Sequence, residues 1–359
     1  MEKKRILVWL SGWVDSAVTA YLLLQQGYEV TAGFMINYIT DSPDCTTKAD
    51  LEEAKKVAAF LGIKLYTFDF QKEYEASVVQ YIINGYKSWI TPNPDVLCNS
   101  DVKFRLFLDE ARAMGFDAIA TGHYARVTYS QWAYHLLKWV DPEKDQSYFL
   151  SRLNQEQLSS AIFPLGWMVK SEVRKIAREA GLPNAERKDS QGICFIGKVE
   201  MREFLKSQIE PKEGNIVNME WKILGTHQGA RGYTIWQRQG LGIAHSEPLF
   251  VIKKDVVSNT LIVGTESEAD LYSKELTAID RRRIGVAPAL PLAANAKIRY
   301  RQADQACEVT ALEVAALQND STNTTSIRIA FSEPQRAVAS GQIVAVYQGD
   351  ELLGSWLIQ

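Results

Sequence analysis

Two cysteines stand in settings that suit thiol chemistry. Cys98 closes the stretch Thr91-Pro92-Asn93-Pro94-Asp95-Val96-Leu97-Cys98-Asn99, in which two prolines stiffen the backbone and deny it helix until the loop is past. Asn93, Asp95 and Cys98 are then presented together at a helix entrance, where the helix dipole favours a thiolate. Cys194 lies in Arg187-Lys188-Asp189-Ser190-Gln191-Gly192-Ile193-Cys194-Phe195-Ile196-Gly197. Basic residues ahead of a thiol lower its pKa, and flanking glycines allow close packing. Taken alone, either stretch also suits a small buried side chain, the commonest fate of a free cysteine. Cys45 in a polar loop and Cys307 in a strand-like run carry no such company. The four cysteines are too few and too scattered for a disulfide scaffold, and none has CxxC metal spacing.

Anion binding is the second chemistry. Ile6-Leu7-Val8-Trp9-Leu10-Ser11-Gly12-Trp13-Val14-Asp15-Ser16 runs from an apolar segment through a Ser/Gly/Asp turn into the amphipathic stretch Ala17 to Gln26. Strand, tight loop and helix in that order aim free N–H groups and a positive dipole end at one point, which suits a phosphate. No Gly-Lys-Ser/Thr follows at Walker A spacing and no GxGxxG is present.

These stretches need a scaffold. Apolar runs at Val30 to Met35, Lys64 to Phe68 and Ala118 to Thr121 alternate with helical spacing at Leu51 to Leu61, Val78 to Tyr86 and Phe104 to Ala111. Such alternation predicts an α/β domain with a parallel sheet covered by helices on both faces. Ligands in these sheets bind at the carboxyl ends of the strands, which gathers Ser11 to Ser16, Met35 and Gly122-His123 around one crevice. A hairpin is expected over residues 124–137, with helices over 149–158 and 171–180. Pro211 and Gly214 break the pattern, so residues 1–208 form the α/β domain, 209–270 a small β-rich domain and 271–359 a β-barrel. Its five or six strands include Ile298 to Arg301, Glu308 to Leu312, Ser326 to Phe331, Ile343 to Tyr347 and Leu353 to Ile358.

Bulk composition constrains less. A net charge of −3 excludes a uniformly basic surface but leaves room for a local basic patch. No apolar run reaches membrane-span length, and Met1-Glu2-Lys3-Lys4-Arg5 leads into a strand without a signal peptide, so a cytoplasmic protein with no membrane partner is expected.

The motifs together are more specific than any one of them. Ser-Gly-x-Val-Asp-Ser at 11–16, Thr-Pro-Asn-Pro-Asp-Val-Leu-Cys-Asn, Ala120-Thr121-Gly122-His123-Tyr124, Lys144-Asp145-Gln146-Ser147-Tyr148-Phe149, the Cys194 loop and Gln237-Arg238-Gln239-Gly240-Leu241-Gly242 occur in one order. The first resembles the SGGVDS loop of the PP-loop ATP pyrophosphatases, and the whole series resembles the tRNA-specific 2-thiouridylase family. The resemblance implies a PP-loop, adenine-nucleotide alpha-hydrolase-like fold. It implies ATP on Leu10, Ser11, Gly12, Trp13, Val14, Asp15, Ser16, Ala17, Met35 and Gly122, with Mg2+ offsetting phosphate charge and no dedicated protein metal site. It further implies adenylation of the C2 oxygen of a wobble uridine, sulfur delivered from a persulfide on Cys194, and Cys98 as the partner thiol in a Cys98–Cys194 disulfide. Asp95 is the implied acid/base. The implied tRNA contacts are Asn93, Pro94, Asp95, His123, Lys144, Asp145, Gln146, Tyr300, Arg301 and Gln342, and the implied sulfur source is a relay protein or a cysteine desulfurase. On residue grounds alone, His123 either meets RNA or closes its turn, and Arg299-Tyr300-Arg301 reads as a solvated barrel strand.

The chain departs from that family at several positions. Trp13 stands for the second glycine of the loop, Trp89, Trp139 and Trp236 stand for further glycines, and Ile90 replaces an arginine. A side chain at a positive-φ glycine costs about 1–2 kcal/mol. An indole at 13 either points away from the anion site or fills it. Two other readings follow: a PP-loop synthetase acting on a small molecule, and a tRNA-binding homologue impaired in catalysis.

Overall fold

Ile6, Leu7 and Val8 are wholly buried because strand β1 (Arg5–Trp9) lies at the centre of a parallel sheet with cover on both faces. The computed structural model describes residues 3–39, 45–188, 201–268, 271–285, 288–312 and 326–359, with main chain only at 201–203. Helix α1 (Val14–Gln25) returns the chain to β2 (Glu29–Ile36), and α2 (Thr47–Leu61) leads to β3 (Leu65–Asp69). Strand β4 (Ala118–Ala120) pairs on the other side of β1. After the hairpin β5 (Arg126–Ser130) and β6 (Ala133–Leu137), the two-residue β7 (Ala161–Ile162) completes the order β3-β2-β1-β4-β7. β7 has no sequence signature because two residues show no periodicity.

Side-chain alternation along β1 assigns the two faces. Leu7 packs with Met35, Phe68, Ile82 and Phe107, whereas Ile6 and Val8 pack with Ala20 and Leu23 of α1. The helical run after the proline-rich loop is not uniform. Pro94–Leu97 is α-helical, Cys98–Leu106 widens into π-helix, and Phe107–Ala113 is α-helical again. Wide turns of this kind concentrate at functional sites. The expected helix over 149–158 is instead a 3-10 turn, Ser147–Leu150, and a short helix, Gln155–Ser159. Asn154 separates them by starting the second with a capping box to Gln157.

The central sheet orders β8 (Gly214–Val217), β9 (Ile223–His227), β10 (Phe250–Asp255) and β11 (Thr260–Gly264) as β10-β11-β8-β9 around Ile216, Val251 and Leu261. The last part is a barrel of β12 (Tyr272–Arg283), β13 (Leu292–Lys297), β14 (Gln305–Ala311), β15 (Ile327–Arg336), β16 (Ile343–Gln348) and β17 (Glu351–Ile358). Antiparallel pairing in the order β12-β15-β14-β13-β16-β17 closes where Ala278 meets Ile358. Ile327, Ile329 and Phe331 point inward while Arg328 is exposed. Residues 298–301 are a turn rather than the expected strand. Arg301 has φ 61, Gln302 N–H donates to Arg299 O, and the strand ends at Lys297. The alanine-rich Leu292–Lys297 carries the pairing but little hydrophobic signal.

One further pairing links the hairpin to the barrel. Leu137 of β6 pairs with Glu351 of β17, so the hairpin of the first domain extends the barrel sheet. Among the described residues, no helix is long and apolar enough to cross a membrane.

Candidate active site

The turn after β1 runs straight into the start of α1, the nest-like arrangement expected to suit an anion. Trp13 is the N-cap of α1 and makes no side-chain capping bond, so the first amides of the helix have no intrahelical partner. Ser16 Oγ ties the loop by accepting from Ser11 N–H at 3.1 Å and donating to Trp13 O at 2.9 Å. Gly122, just past β4, lies so close to the helix start that a Cβ there would stand 2.8 Å from Asp15 C and 3.0 Å from Ser16 N. Leu10 and Met35 are fully buried beneath the loop, and Val14 and Ala17 anchor the helix in the core.

Two cations converge on this turn. Lys170 Nζ, at the start of the helix Lys170–Glu179, is 2.5 Å from Asp15 Oδ1, which also accepts from Tyr124 OH at 2.7 Å. Arg187 donates to Gly12 O at 3.0 Å and pairs with Asp50 at 2.5 Å. Its guanidinium lies 3.7 Å from the centroid of the Trp13 ring. The indole therefore stacks on a side chain that grips the loop, and the Trp13 backbone, at φ −96 and ψ 159, is unstrained. Trp139 is likewise free of positive φ. It is buried against Tyr124, and its Nε1–H donates to Met168 O at 2.7 Å. Trp89 and Trp236 do occupy left-handed backbone, at φ 66 and 72. Arg187, one of the basic residues ahead of Cys194, is held by Gly12 O and by Asp50.

The proline-rich loop reaches the same crevice. Asn93 caps the short helix by accepting from Val96 N–H at 3.3 Å, with Pro94 at the first helical position. Asp95 is half-buried, and its carbonyl accepts from Asn99 at 2.9 Å. Cys98 is buried, at 1% exposure. One turn on, Lys103 Nζ lies 4.4 Å from the Trp9 ring centroid and Phe104 packs 5.8 Å from the His123 ring, docking this helix on the ends of β1 and β4. The barrel holds the loop from the other side. Gln342 donates to Thr91 O at 2.8 Å, Asn93 Nδ2 is 3.4 Å from both Gln342 Oε1 and Tyr148 OH, and Tyr148 OH donates to Ile343 O at 2.9 Å.

The other residues assigned to RNA fall into two groups. Tyr300 and Arg301 occupy the turn after β13, with the Tyr300 and Phe149 rings tilted against each other at 4.3 Å and Arg301 exposed. His123, Asp145 and Gln146 turn inward. His123 is buried with Nδ1 2.7 Å from Thr121 Oγ1, and burial, reinforced by Lys103, holds it well below its ordinary pKa and so neutral. The Asp145 carboxylate accepts from Trp139 N–H, Ser147 N–H and Lys297 at 3.0, 3.1 and 3.3 Å. Gln146 accepts from Tyr124 N–H at 2.9 Å. Lys144 is part-exposed in the Pro142–Lys144 turn beside them. From these positions Asp145 and Gln146 shape the segment that displays Lys144. Cys194 lies outside the described residues. Among the described residues, no group of three His, Cys, Asp or Glu side chains is placed to hold a metal ion.

The contacts of Lys170 with Asp15 and of Lys103 with Trp9 left no mark in the sequence. A lysine opening an amphipathic helix is ordinary, and only the tertiary approach to Asp15 distinguishes Lys170.

Three family models match the chain in succession: tRNA methyl transferase HUP domain over residues 4–198, tRNA methyl transferase PRC-barrel domain over 202–265, and aminomethyltransferase beta-barrel domain over 273–358. The tRNA-specific 2-thiouridylase MnmA of Leptothrix cholodnii is 46% identical over 374 residues, covering 99% of this chain and 96% of that protein. Those of Enterococcus faecalis and Alkaliphilus oremlandii are 46% and 43% identical, covering 99% and 98% of this chain and 96% and 95% of the relatives. With this identity sustained over nearly the full length of both partners, the chain belongs to the tRNA-specific 2-thiouridylase family.

Proposed function

We propose that this chain uses ATP to replace the C2 oxygen of the wobble uridine of tRNA with sulfur. The observation that carries the reading is the meeting at Asn93. A loop bearing a carboxylate and a thiol is held over the ends of β1 and β4 by Tyr148 on one side and by Gln342 of the barrel on the other. An unpaired base splayed from an RNA loop reaches such a place and is read by polar edges. The division at residues 208 and 270 then gives the first domain the nucleotide and the last a share of the RNA.

The nest accepts the phosphates of ATP, with Lys170 and Arg187 contributing positive charge beside it. Asp15 is the carboxylate at the nest, and one carboxylate with phosphate oxygens and water is the ordinary magnesium arrangement. Bound magnesium would neutralise phosphate charge. Transfer of AMP to the C2 oxygen releases pyrophosphate and converts a poor leaving group into a good one. The terminal sulfur of a Cys194 persulfide attacks C2, and AMP departs with the oxygen. Cys98 thiolate attacks the Cys194 sulfur, leaving 2-thiouridine and a Cys98–Cys194 disulfide that an external thiol reduces. Asp95 moves the proton at the base. A relay protein or cysteine desulfurase reloads Cys194.

Incubation with unmodified tRNA, ATP, magnesium and a cysteine desulfurase with cysteine, whose own persulfide hands sulfane sulfur to Cys194, tests this. The expected products are 2-thiouridine and AMP, both dependent on tRNA, with thiolation abolished by Cys194→Ser. AMP formed with a small acid or amide and no tRNA would sink the reading in favour of a small-molecule synthetase. Binding of tRNA without AMP release would instead identify a catalytically impaired homologue.

A further inference from the structure

One carbonyl of the loop after β1 has two side-chain donors. Gly12 O accepts from Asn184 Nδ2 at 2.9 Å and from Arg187 Nη1 at 3.0 Å. Asn184 is buried, at 3% exposure, and the other end of the Arg187 guanidinium is fixed by Asp50 at 2.5 Å. The segment that carries both donors is itself tied down. Leu182 N–H donates to Ala177 O, Ala185 N–H to Leu182 O and Arg187 N–H to Asn184 O, while Arg174 donates to the carbonyls of Ala185 and Arg187. Leu182 and Ala185 share a core cluster with Val14 and Ala17 of α1. The helix Lys170–Glu179 therefore reaches the loop from both of its ends: Lys170 meets Asp15, and the turns that follow the helix meet Gly12.

The peptide bond between Gly12 and Trp13 carries the consequence. It is trans, so its carbonyl and its N–H point in opposite directions. Two donors on the Gly12 oxygen hold the Trp13 N–H facing away from them, and among the described residues that N–H meets no acceptor. Turning the plane over would put the oxygen in its place and carry φ at Trp13 from −96 into the left-handed region, which disfavours a side chain. We propose that Asn184 and Arg187 are positioning residues that aim the Trp13 N–H at a phosphate oxygen of ATP, in the part of the nest that keeps pyrophosphate when AMP is transferred; this rests on the reading of ATP as the activating substrate. An amide fixed in advance stabilises an anion with no cost of reorientation. A plane free to turn would offer the same anion a repelling lone pair as readily as a donor. Lys170 brings charge to the site, and Asn184 and Arg187 set its direction.

Titration calorimetry with ATP, pyrophosphate and AMP, each with magnesium, tests this. AMP leaves the pyrophosphate position empty and so reports on the rest of the nucleotide site. Asn184→Leu keeps the volume and removes the donor. It is expected to weaken ATP and pyrophosphate about tenfold, the scale of one hydrogen bond to a charged group, and to leave AMP unchanged. Arg187→Gln is a second variant should that one fold poorly, with the same split expected. Arg187→Lys, which keeps a donor and the charge, is expected to recover ATP binding, and Glu179→Gln, at the exposed end of the helix, to change nothing. An equal fall for AMP would mean that the substitutions only loosen the domain, and undiminished ATP and pyrophosphate binding in both variants would mean that the peptide holds without them. Either result overturns the positioning role and leaves the ATP reading standing. Wild-type protein that binds no ATP would overturn both.

Discussion

Trp13 shows how a departure from a motif is resolved by one neighbour. Its ring stacks on Arg187, and Arg187 holds Gly12 O, so the indole braces the loop from the side. Trp13→Gly is accordingly expected to cost about 1 kcal/mol of stability through the lost cation–π contact. Its KM for ATP should stay within about threefold, or roughly 0.7 kcal/mol. A tenfold fall in KM in steady-state assays would place the ring in the nest after all. The motifs located Ser11, Asp95, Cys98 and His123 in sequence because spacing along one segment is local information. They gave no hint that the Asp145 carboxylate is buried on Lys297, since that partner comes from another domain. Asn37, one residue past β2, was also invisible: it is fully buried, and among the described residues neither amide atom meets a partner.

At the scale of elements, the hairpin β5–β6 turns through Gln131 and Trp132, at φ 48 and 63. Consecutive left-handed residues define the tight hairpin turn that favours Asn and Gly. Trp132 is 91% exposed, so packing does not offset the strain. Trp132→Gly should therefore raise stability by about 1 kcal/mol, read as a higher melting temperature; a fall would mean that the ring is covered by something it prefers to water. The hairpin is also pinned to the barrel by His135, 2.6 Å from Glu351, which raises the pKa of His135 mainly through that hydrogen bond. A raised folded-state value makes the contribution fully present below the ordinary 6.5 and lost as pH rises through the folded value. The melting-temperature gap between wild type and Glu351→Gln should thus close on going from acidic to alkaline buffer, and a gap that widens would refute the pairing. Strands β1 to β4 were legible because each is an apolar run bounded by turn residues. Strand β13 was not, because alanine and asparagine pair through backbone alone and leave no pattern.

The whole molecule is organised by contacts between domains. Thr91 N–H donates to Ser340 O at 2.9 Å, and Gly341, at φ 88, lies so close that a Cβ would stand 2.9 Å from Ile90 Cβ and Thr91 O. Gly341→Ala must push the proline-rich loop away from the barrel. It is expected to lower kcat for thiolation about tenfold or more, since small misplacements of reacting groups carry such costs, while KM for ATP, set at the nest, is unchanged. An equal effect on both constants would mean that the clamp also supports the nucleotide site. The shared sheet has a consequence for synthesis. His135 and Glu351 are 216 positions apart, so a ribosome finishes the hairpin long before it supplies the strand that completes its edge. Until then β6 offers unpaired backbone groups to any other chain. A chain cut short of β17 loses the Leu137–Glu351 pairing and is expected to aggregate more readily than the whole chain, as read by light scattering.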